Sequence, residues 1–173
     1  MHRSLLATLL LTLALPLAAA EVRELTWAEM VPADAPPQAV EPAPIHDLSQ
    51  LADALAESGA AAMQQSPAAP VVEELNGQSI KLPGYIVPLD VTDEGRVTEF
   101  LLVPYFGACI HVPPPPSNQI VHVTSELGVL LDELYQPFWI EGPLKVEQTS
   151  SELAEAGYQM EAEKIYAYEL PDS

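Results

Sequence analysis

The segment from Tyr105 to Gln119, YFGACIHVPPPPSNQ, gathers the residue types in this chain that are best able to do chemistry. Cys109 is the single cysteine of the sequence, and His111 stands two positions beyond it. In an extended strand, side chains at i and i+2 point to one face. A soft thiolate and an imidazole placed so would lie close enough to share one transition-metal ion. Two ligands are not a site, because a catalytic zinc takes about three protein ligands and a structural zinc about four. His122 is the best intramolecular third donor, since the strand that carries it is expected to lead back from the prolines; an acid, His46 or a partner's side chain are the other candidates. Thiolate and imidazole favour zinc or Cu(I) over calcium or magnesium, which prefer oxygen. The competing reading is structural. Cysteine is among the most buried residue types, and Gly-Ala-Cys-Ile-His-Val would serve as core strand with the imidazole satisfied by a backbone carbonyl.

The residues after the pair set its frame. Pro113 to Pro116 form a rigid, extended rod with no backbone donors. Asn118 and Gln119 at its end carry amides that either anchor the loop or bind an extended peptide. Catalysis has less support: a cysteine nucleophile needs a histidine base in line and a third group to orient it, and two side chains on one strand give poor geometry for that transfer. The sequence has no Gly-x-Ser-x-Gly, His-Glu-x-x-His or Cys-x-x-Cys motif. A binding role, rather than enzymatic activity, is therefore expected.

The elements that must position these residues begin near Asn76. Ile80–Leu89 reads as a strand that Pro83-Gly84 and Pro88 force to bend or bulge. Asp93–Arg96 is a hairpin turn, Val97–Val103 a second strand and Gln119–Val123 a third. Ser125 is placed to cap a helix in which Leu127, Leu130, Leu131 and Leu134 fall at helical spacing. Phe138–Val146 is a fourth strand, Thr149–Glu152 a capping box opening a short helix that Gly157 ends, and Tyr158–Leu170 a fifth strand. That order, with a bent first strand, predicts a mainly β domain over 76–173: an OB-fold-like five-stranded barrel with one helix between strands three and four. Residues 21–75 form a Pro/Ala-rich acidic arm with a short helix over Asp47–Glu57, and Trp27 is expected to peg that arm onto the domain.

Charge and the first residues bear on partners and location. With 6 Lys+Arg against 25 Asp+Glu, the formal net charge is −19, which repels nucleic acid and anionic membrane surfaces. Residues 1–20 combine a basic start, an apolar run from Leu5 to Leu17 that is short of a membrane span, and Ala18-x-Ala20. The pattern predicts a signal peptide cleaved after Ala20 and a periplasmic protein that is not embedded in the membrane. A lone cysteine excludes an intramolecular disulfide framework.

The strings LPGYIVPLD, EFLLVPYFGACIHVPPPPSNQIV and GYQMEAEKIYAYE, with Gly142-Pro143-Leu144 closing the tryptophan strand, resemble a family of small exported proteobacterial proteins of unknown function. The likeness spans about residues 76–170, and GACIHVPPPPSNQ is its most specific part. Similar proteins are often encoded beside a MacB-type ABC transporter in settings of zinc supply. The resemblance therefore implies a periplasmic accessory that handles zinc or copper and is associated with an ABC transporter permease or another envelope protein. Cys109, His111, Asn118 and Gln119 are the positions it points to. A metal-free interaction module of a transporter complex is the alternative it leaves open.

Overall fold

A computed structural model describes residues 22–35, 63–109 and 112–169. The expected leader, the Asp47–Glu57 helix and His111 lie outside the described residues. The strands, in chain order, are β1 (Arg23–Glu24), β2 (Ser79–Val91), β3 (Arg96–Val103), β4 (Val121–Leu130), β5 (Phe138–Lys145), β6 (Thr149–Ser150), β7 (Glu155–Ala156), β8 (Tyr158–Glu161) and β9 (Lys164–Ala167). Seven of them share one sheet in the order β1-β2-β3-β4-β8-β5-β9, while β6 and β7 form a hairpin of their own. The fold is mainly β, as the patterning predicts.

Alternation in β2 explains how it holds two partners. Ile80, Leu82, Gly84 and Ile86 point inward in sequence, so one face of the strand is buried from Ile80 to Ile86. Its first half, Ser79–Gly84, pairs with β5, and from Tyr85 onward it pairs with β3. The exchange falls at Pro83-Gly84, the bend expected from the sequence, and the register shifts again after Pro88. Since β3 pairs with β4, β4 runs parallel to β8 and β8 pairs with β5, the ladders return to β2 in a closed circuit.

Three sequence expectations are corrected. Among the described residues there are nine strands rather than five. The arm contributes β1 as a parallel addition to β2, and the run expected as one last strand breaks at Ala162-Glu163, where Ala162 N–H turns to Thr124 O (2.8 Å) and Glu163 N–H to Glu141 O (2.8 Å). No α-helix follows Ser125: β4 continues to Leu130, and only Leu131–Glu133 coils, as one 3-10 turn. The Ser125 hydroxyl instead accepts from the N–H groups of Leu127 (3.1 Å) and Gly128 (3.4 Å). It stabilises a bulge between the Thr124–Glu99 and Val129–Val97 partners, with Gly128 at a φ of 61° that a helix cannot use. The second expected helix is the β6–β7 hairpin, because the Ser151 hydroxyl closes a tight turn on the N–H groups of Leu153 and Ala154.

The main core fills the inside of the strand circuit with Ile80, Leu82, Phe100, Leu102, Val123, Ile140, Leu144 and Tyr158. The described parts of the arm close it. Leu25 and Met30 are wholly buried and Leu75 nearly so, each side chain contributing about 1.5–3 kcal/mol by leaving water. Trp27 docks as expected, its indole N–H donating to Pro83 O at 2.6 Å.

Candidate functional site

The crossing between β3 and β4 rests on a second, smaller core on the outer face of the sheet. Val87, Leu101 and Val103 from the strands meet Ala108, Ile120, Ala154 and Ala156 there, and Cys109 packs against the group. Ladder register puts Val87, Leu101, His122 and Gln159 side by side across β2, β3, β4 and β8. His122 therefore shares the face on which Cys109 lies. Cross-strand neighbours of this kind are brought together by pairing that no local sequence pattern states.

The loop is not extended at its cysteine. Val112 N–H donates back to Gly107 O (3.2 Å), a short bridge joins Ala108 to Val112, and Cys109 sits at a φ of 65°. The expectation that Cys109 and His111 project together from one straight strand is thus corrected at Cys109, because a left-handed residue breaks the two-residue alternation. Burial pushes the Cys109 thiol up to about 11, so at neutral pH it is held as the thiol. Tyr105 is raised as well, first by its own burial and then by the neighbouring Cys109.

His122 is half-buried, and its Nε2 lies 2.9 Å from Glu99 Oε1, a carboxylate placed to accept the ring N–H. That bond fixes the ring, and among the described residues Nδ1 has no hydrogen-bond partner, the arrangement by which outer carboxylates orient metal-ligating imidazoles. Sequence reading did not single out Glu99; the signal that could have found it is its place two residues before Leu101 on the same pleat. Among the described residues, no group of three or more His, Cys, Asp and Glu side chains converges as a metal site.

Asn118 and Gln119 act as anchors. Asn118 is fully buried and its Nδ2 donates to Pro70 O (2.8 Å), while Gln119 Nε2 donates to Trp27 O (2.8 Å). Both amides thus grip the backbone of the chain's own arm, Gln119 at the start of the 3-10 turn Trp27–Met30. The proline rod is likewise interior: Pro114, Pro115 and Pro116 are buried, and Gln64 Nε2 donates to Pro115 O at 3.0 Å. What this rigid support displays to solvent is Phe106, 63% exposed, with Tyr105 and Val112 beside it in sequence or across the loop. The edge of Phe106 meets the Tyr85 ring at a centroid distance of 5.7 Å.

Comparison with known proteins follows the same outline. No curated protein matches the chain. A solved structure of a DUF3299 family protein from Pseudomonas aeruginosa PAO1 is similar over 88% of this chain and 99% of its own, with 62% identity and a TM-score of 0.76. Residues 27–167, which take in the docked tryptophan, the whole strand circuit and the crossing loop, match the family described as protein of unknown function, DUF3299. With most of its length inside that match, the chain belongs to the DUF3299 family.

Proposed function

We propose that this protein is an exported interaction module whose crossing loop docks an envelope protein, an ABC transporter permease being the partner class implied by the family resemblance. The leader ending at Ala20 would deliver it to the periplasm. The five-strand circuit β2–β3–β4–β8–β5, with its bent first strand and one parallel pair, supports an OB-like barrel as the scaffold. The observation that carries the docking role is the exposure of Phe106, Tyr105 and Val112 on a loop held by buried prolines and a satellite core. Apolar side chains offered to water from a rigid support are the usual make-up of a binding loop. A photo-crosslinking residue in place of Phe106 should give one discrete adduct in envelopes, whereas the same group at exposed Glu163 should give none. Equal, diffuse labelling at both positions would sink the reading.

A second reading, zinc or Cu(I) held through Cys109 and His122 with His111 as a further donor, is favoured by the Glu99–His122 bond alone. A bound metal would have to pull the thiol well below about 11. Untagged protein should then bind zinc, lose it on Cys109→Ala, and bind more weakly on Glu99→Gln. Zinc retained by Cys109→Ala would overturn that ligand set. Both readings are binding roles in which no covalent step occurs.

A further inference from the structure

Three of the four leucines expected to bury one stripe of a helix are on the surface, while Leu134 packs against the main core. Leu127 is 53% and Leu131 49% exposed, Leu130 is exposed beside them, and Tyr135 after the 3-10 turn is 73% exposed. The three leucines come together around the β2–β3 turn, and Tyr135 follows them in sequence. Leu130 pairs with Arg96, the Arg96 guanidinium donates to Leu127 O (3.1 Å), and Leu131 N–H donates to Gly95 O (3.0 Å) in the β2–β3 turn. Several large apolar side chains exposed at one corner of a sheet mark an interaction site.

Its rim is acidic. Glu126, Asp132 and Glu133 belong to the same stretch, Asp93 and Glu94 to the turn bonded to it, and all five are exposed. The nearby base, Arg96, has its guanidinium engaged by the carbonyls of Leu127 and Gly128. Charge therefore selects the occupant. A second copy of a chain carrying −19 would meet like charge, as would an anionic bilayer, while a cationic segment would be drawn in.

We infer that this corner, formed by the β2–β3 turn and the β4–β5 connection, is a docking surface for a basic amphipathic segment of a protein partner. It is separate from the crossing loop. β3 runs from one to the other, and its eight residues set them roughly 25 Å apart. Leu127, Leu131 and Tyr135 supply the apolar contact, and the acids around them supply orientation and a salt-dependent on-rate.

The test uses the mature chain and a fluorescein-labelled Leu/Lys amphipathic peptide, with a Leu/Glu peptide of the same pattern as control. Anisotropy should show binding of the lysine peptide alone. The double variant Leu127→Ser, Leu131→Ser should weaken it by about tenfold or more. Asp132→Lys with Glu133→Lys should do the same, while Glu73→Lys, remote from the corner, should not. Amide shifts should concentrate in residues 92–97 and 126–135. Binding lost equally with Glu73→Lys and kept by the serine variant would overturn the inference, because it would show diffuse attraction to the whole surface. So would a self-association abolished by the serine variant, which would make a second copy the occupant. The charge-reversal pair keeps the test decisive should the serine variant fail to fold, and neither result depends on an adduct at Phe106.

Discussion

Tyr158 shows how much one side chain holds in this fold. It is fully buried; its hydroxyl donates to Met30 O (2.7 Å) and accepts from Val72 N–H (2.8 Å), joining both described parts of the arm to β8. Tyr158→Phe keeps the ring and strands the backbone groups of buried Met30 and half-buried Val72, so it should cost about 1–3 kcal/mol in urea unfolding. The equivalent change at exposed Tyr135 should cost nothing measurable. Cys109 is the opposite case. Its half-buried thiol should alkylate far more slowly at neutral pH than a free model thiol, with the rate climbing toward pH 11. Fast alkylation at neutral pH would contradict the burial described for it. The sequence placed the lone cysteine in the right loop, but the left-handed turn at it arises from contacts between Gly107, Ala108 and Val112 that hydropathy does not record.

At the scale of elements, the bend in β2 is the feature most open to a single change. Gly84 lies where the strand passes from β5 to β3, and a Cβ there would stand 2.8 Å from Val103 O and 2.9 Å from the Leu102 side chain. Gly84→Ala should therefore destabilise by about 1–3 kcal/mol, read as a lower denaturation midpoint. The sequence announced this bend through Pro83-Gly84 and the hairpin turn through Asp93–Arg96, because proline and glycine restrict the backbone by themselves. It misread the leucines after Ser125. Four leucines at helical spacing fit a helix stripe, yet with a buried partner strand available, β4 gains ladder bonds along β3 and leaves Leu127 and Leu130 in water, with Leu131 just beyond them. Helix or strand was here a question of what lay alongside.

For the whole molecule, the arm belongs to the folded unit. Glu29 fastens it at the surface: its carboxylate accepts from Thr26 N–H (2.9 Å), the Thr26 hydroxyl (2.8 Å) and Arg23 (2.7 Å). The Thr26 bonds first, then Arg23, bring Glu29 from 4.5 down to about 2. A carboxylate lowered by folding contributes stability that is complete above its unfolded value and is lost as pH falls through the folded one. Acid titration from about 4.5 to about 2 should therefore loosen the arm, read by NMR as loss of the Trp27 indole N–H bonded to Pro83 O. Glu29→Gln should shift that loosening out of this window. An indole resonance unchanged down to pH 2 in the unaltered chain would show that the buried Leu25 and Met30 hold the arm unaided.

Composition, charge and the chemistry of proline and glycine are local properties, and they were enough for a mainly β domain, an acidic surface hostile to polyanions, a bent first strand and a tryptophan-docked arm. Long-range pairing decided the rest. It joined the strands into a circuit, divided the last expected strand in two, set His122 against Glu99 and turned Leu127, Leu130 and Leu131 outward. Each of those outcomes depends on which residues from distant parts of the chain come to lie within a hydrogen bond or a van der Waals contact of one another, and that is settled only when the core closes.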